Sequence, residues 1–61
     1  MQSEITKEAF HALVPPYTAC KTAVATETSN TIEWHVHGIA VQQVDSFVSN
    51  CTNYYVRDIN A

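Results

Sequence analysis

The chain has 61 residues, of which 46% are hydrophobic and 15% charged, and its formal net charge is -3. That length allows one domain, residues 1–61, and excludes large catalytic scaffolds such as the TIM barrel and the dinucleotide-binding fold, which need several times as many residues. Ample apolar content and low net charge argue against disorder, and no apolar run is long enough for a membrane-spanning helix.

The first element predicted is a helix over Lys7–Val14. Thr6 is a suitable N-cap, Ile5 and Phe10 sit at the two positions of a hydrophobic staple, and Glu8 in the first turn suits the helix dipole. Phe10, Leu13 and Val14 form one apolar stripe. Pro15-Pro16 ends the helix, because a proline disfavours the α region in the residue before it. A helix under three turns is unstable alone and must dock on something.

A β-hairpin follows, with arms Cys20–Glu27 and Thr31–His37 around the turn-forming Thr28-Ser29-Asn30. The second arm alternates: Ile32, Trp34 and Val36 point one way, Glu33, His35 and His37 the other. That is the pattern of a sheet with one covered and one wet face. In the first arm, either Val24 with its threonine neighbours or Ala23 with Ala25 faces the core.

Gly38 reads as a strand-to-helix junction. Ala40, Val41, Val44, Phe47, Val48 and Cys51 recur at helical spacing, which predicts a second helix from Ile39 or Ala40 to Asn50, capped by Asn50 or Asn53. Asn53–Ala61, with Tyr54-Tyr55-Val56, favours a final strand. The fold class expected is therefore α+β in the order α-β-β-α-β, one small antiparallel or mixed sheet covered by helices on one face.

Chemistry-bearing sets are few. His35-x-His37 on a strand puts two imidazoles on one face, and Cys20 and Cys51 would complete a four-ligand zinc set. Structural zinc sites use close cysteine pairs, which are missing here, so the two histidines are read as solvent-facing, the cysteines as small buried hydrophobes, and no metal or cofactor is expected. Glu27 and Glu33 could oppose each other across the hairpin as a surface feature. No nucleophile motif occurs, and a single glycine excludes phosphate-cradling loops, so no enzyme is expected. Lys7, Lys21 and Arg57 are scattered, which makes nucleic-acid binding the weaker alternative, although a sheet bearing Tyr54, Tyr55 and Trp34 can stack bases. With no basic and apolar leader at the start and only two cysteines, the expected setting is a reducing cytoplasm.

Interaction remains. A domain this small buries only about 60% of its unfolded surface, so a partner or a second copy would add stability. The chain reads as a non-enzymatic protein-interaction module, a homodimer or a modulator of a larger protein, with Trp34, Phe47, Tyr54 and Tyr55 as the contact residues. In size and element order over Lys21–Ile59 it resembles small accessory proteins of tailed phages and prophages. The resemblance implies a cytoplasmic modulator of a bacterial host protein and assigns no functional residue.

Overall fold

A computed structural model describes residues 2–59. Their elements are β1 (Gln2–Ile5), α1 (Lys7–Leu13), β2 (Thr22–Ala25), β3 (Ser29–Val36), β4 (Ile39–Ser46) and β5 (Cys51–Asp58). The strands form one antiparallel sheet in the order β1-β5-β4-β3-β2. This corrects the α-β-β-α-β expectation. A single short helix packs on a five-stranded sheet, and no second helix lies among the described residues.

α1 forms where its caps dictate. Thr6 is extended, and its hydroxyl accepts the Ala9 N–H at 3.1 Å. Val14, ahead of Pro15, leaves the helix with φ -122° and ψ 88°. Because β1 and β2 are the two edges of the sheet, the chain between them must cross four inter-strand spacings, about 19 Å. α1 makes the first part of that crossing and lays Phe10 and Val14 on the sheet. There they pack with Val41, and Ile5, Leu13, Trp34, Val36, Ile39, Tyr54 and Val56 surround them. The Phe10 ring meets Trp34 edge-on at 5.3 Å and lies tilted against Tyr54 at 4.4 Å.

The segment expected to be the second helix is instead β4. His37 and Gly38 both have positive φ, 51° and 78°, and form a two-residue hairpin turn joining β3 to β4. Val36 and Ile39 close that hairpin. The valines at helical spacing then separate: Val41 points to the core, Val44 to the opposite face, and Val48 lies in the next turn. β-branched residues favour the pleated strand over the helix, and here that preference wins. The turn at 47–50 ends on Asn50 at φ 57°, so Asn50 closes a hairpin rather than a helix, and Asn53 lies within β5.

The first hairpin is shorter and shifted from its expected bounds. Its turn falls at Thr26–Thr28, with the Thr26 N–H bonded to the Ser29 carbonyl at 2.7 Å, so Asn30 belongs to β3. Glu33 lies opposite Thr22, not Glu27. Ala23 and Ala25 share the helix-covered face with Ile32 but stay exposed at the sheet edge. The last strand runs Cys51–Asp58, and the expected continuation through Asn60 and Ala61 lies outside the described residues.

Candidate functional site: a polar clasp on the open face and a bare edge

Register assigns the side chains to two faces, because residues directly opposite across antiparallel strands project the same way. Trp34, Val41 and Val56 stand in one row on the helix-covered face. Glu33, Gln42 and Tyr55 form a row on the other face, with His35, Ala40 and Arg57 in the row beside it. Nothing in the described chain covers this second face as α1 covers the first.

At its centre Glu33 is only 9% exposed. Its Oε2 pairs with His35 Nε2 at 2.7 Å, and its Oε1 accepts from Gln42 Nε2 at 2.9 Å and from Arg57 Nη2 at 3.0 Å. The carboxylate is thus tied to its own strand, to β4 and, past β4, to β5. Ala40 makes the last contact possible. It lies opposite both Arg57 and His35, and its small, fully buried side chain lets the guanidinium reach inward over it. The hydrogen bond with His35 is the largest influence on Glu33 and pulls its pKa below the usual carboxylate value. Partial burial opposes this, while Gln42 and Arg57 add to the lowering. As an ionised carboxylate Glu33 can only accept, so His35 Nε2 carries the proton between them.

The chemistry open to this group is limited. Both Glu33 oxygens are occupied, a carboxylate of lowered pKa is a weak base near neutrality, and the cluster contains no hydroxyl, thiol or amine nucleophile. It acts as a clasp across three strands. The sequence marked Glu33 and His35 as wet-face residues, but their convergence with Gln42 and Arg57 required the register. Arg57 is 24 residues from Glu33, and only the β3-β4-β5 order joins them.

The Cys/His alternative comes apart. His37 has left β3 for the turn, so it no longer shares a strand face with His35. Cys51 starts β5 at the far end of the sheet from that turn, roughly 20 Å or more away at about 3.4 Å per residue. Both cysteines are exposed free thiols rather than buried hydrophobes. Among the described residues no three His, Cys, Asp or Glu side chains come together in a metal-holding group.

The four contact candidates divide. Trp34 is part of the helix-side packing, with its Nε1–H donated to the Thr18 carbonyl at 3.2 Å, and Tyr54 packs beside it on Phe10. Tyr55 is half-buried on the open face between Gln42 and Glu4. Phe47, 59% exposed, stands with Val48 in the β4–β5 turn, whose Phe47 N–H reaches the Thr28 carbonyl. Sequence reasoning missed three other exposed side chains: Tyr17, fully exposed at φ 72° just past the prolines, Val24 on β2, and Ile59 just after β5. Exposure at a strand edge can be inferred only when strand order is known.

The class these features define is a one-sheet antiparallel domain with a helix on one face and a polar clasp on the other. No protein-family model, curated protein or solved structure matches the chain. Among the described residues no helix is long and apolar enough to cross a membrane.

Proposed function

We propose that the chain is a small non-enzymatic protein-interaction module whose first partner is a second copy of itself. The observation that carries this reading is the balance of apolar side chains. Among the described residues the buried hydrophobic ones are Phe10, Val14, Ala40 and Val41, while Tyr17, Val24, Phe47, Val48 and Ile59 are large and exposed. A domain with one sheet ordinarily buries its apolar surface between layers, and here too little layer is present to do so. Association covers the remainder and stabilises the fold by mass action. The exposed thiols Cys20 and Cys51 suit a reducing cytoplasm, where they stay unpaired.

Nucleic acid is the weaker partner. Arg57 is committed to Glu33, which leaves Lys7 on α1 and Lys21 ahead of β2 as scattered cations. Native mass spectrometry under reducing conditions, over a range of protein concentrations and without added metal, tests the reading. A dimer whose share rises with concentration is expected. A mass that stays monomeric throughout overturns it.

A further inference from the structure

We propose that the second copy docks on the free edge of β2, antiparallel, with the two-fold axis passing between the two Val24 residues, so that two five-stranded sheets become one. The inference rests on the self-association reading above and names its surface.

Among the described residues β2 pairs only with β3, and each of its residues is exposed. Edge strands of natural proteins are usually blunted by brevity, charged side chains, a proline or a bulge. β2 is short, four residues, and Lys21 and Thr22 both face Glu33 at its start, but Thr22-Ala23-Val24-Ala25 carries no charge and no proline.

Backbone parity decides which groups are offered. The Thr26 N–H bonds the Ser29 carbonyl, so Thr26 and Ser29 are a hydrogen-bonded pair. Such pairs alternate along an antiparallel ladder, which turns Val24 inward toward Thr31 and leaves the N–H and C=O of Ala23 and Ala25 pointing outward. The Lys21 N–H turns inward to the Glu33 carbonyl at 2.7 Å, so the outward ladder starts at Ala23.

The sequence there is self-complementary. Lys21-Thr22-Ala23-Val24-Ala25-Thr26-Glu27 reads the same from either end about Val24, apart from its two charged ends, which are opposite in sign. A two-fold axis at Val24 therefore sets Ala23 against Ala25 of the second copy, where the two exchange both backbone hydrogen bonds. It sets Thr22 against Thr26 and brings Lys21, just ahead of β2, beside Glu27 in the turn just after it, each twice. Neither Lys21 nor Glu27 makes an ion pair with a described residue. Val24, 57% exposed, meets its own copy as a non-hydrogen-bonded pair, the arrangement in which opposed side chains come closest. A two-fold interface requires this kind of self-match. The opposite edge lacks it: β1 reads Gln-Ser-Glu-Ile, and a two-fold axis there sets Gln2 against Ile5 and Ser3 against Glu4.

The register can be read by disulfide trapping. In a Cys20→Ser, Cys51→Ser background, Val24→Cys places one thiol opposite its own copy at the Cβ separation a disulfide needs. Mild oxidation should link most of the Val24→Cys protein into dimers, and Ala23→Cys, whose opposite number is Ala25, should link far less. Lys21→Glu should weaken the dimer by roughly three- to tenfold, and Lys21→Glu with Glu27→Lys should restore it. If the protein dimerises but Val24→Cys links no better than Ala23→Cys, the edge assignment is wrong while self-association stands. A protein that is monomeric at every concentration removes both.

Discussion

The two faces of this sheet are built from the same strands and are held by different physics. Toward α1, alternate residues of β3, β4 and β5 present Trp34, Val41 and Val56, and Phe10 closes over them. That face is stabilised by apolar area removed from water. On the reverse, the intervening residues present Glu33, Gln42 and Arg57, and a hydrogen-bonded carboxylate takes the place of a second packed layer. The clasp satisfies its own polar groups: among the described residues no buried side-chain nitrogen or oxygen lacks a partner. A lone sheet can thus keep one face wet without leaving a buried charge unpaired, which would be costly.

The comparison is most strongly tested on the covered side. Phe10 is 5% exposed and touches both Trp34 and Tyr54, so Phe10→Ala should cost about 3–5 kcal/mol, a large fraction of what so small a domain has. Circular dichroism in a urea titration would show an unfolded or nearly unfolded chain at room temperature. A variant that unfolds at the same urea concentration as the parent would mean that α1 is not part of the core.

The open side should respond less. Glu33→Gln keeps the shape and removes the charge that Arg57 and His35 answer, and should cost about 1–3 kcal/mol near neutral pH. The same titration measures it. A loss equal to that of Phe10→Ala would mean the clasp is a second core rather than a fastening.

The parts of this fold that could be read from the chain are those whose signals are local. Thr6, Phe10 and Pro15-Pro16 fix α1 within a few residues, and the alternation Ile32, Trp34, Val36 against Glu33, His35 divides the faces correctly. The failures have physical causes. Valine at 41, 44 and 48 matches a helical stripe by spacing while its branched Cβ prefers a strand, and the His37-Gly38 pair is a hairpin turn only if both residues accept positive φ. β1 has no apolar alternation of its own. Ile5 is its one hydrophobic residue, and pairing with β5 rather than propensity makes it a strand. The Glu33 cluster joins residues from three strands, so it follows only from a register that the misread β4 had concealed.

The measurement that tests the two-face account most directly is thermal unfolding of the parent protein and of Glu33→Gln across acidic pH. The folded pKa of Glu33 lies below its unfolded value, so its ionised form contributes stability above the unfolded pKa, and that contribution is lost as pH falls through the folded pKa. Carboxylates away from the cluster are common to both proteins, so the difference reports Glu33 together with the groups bonded to it. The account predicts that the parent melts higher near neutral pH and that the two curves converge in acid, where protonated Glu33 resembles glutamine. A difference in Tm that stays constant from neutral to acid pH would contradict it, because the open face would then owe its order to something other than an ionised Glu33.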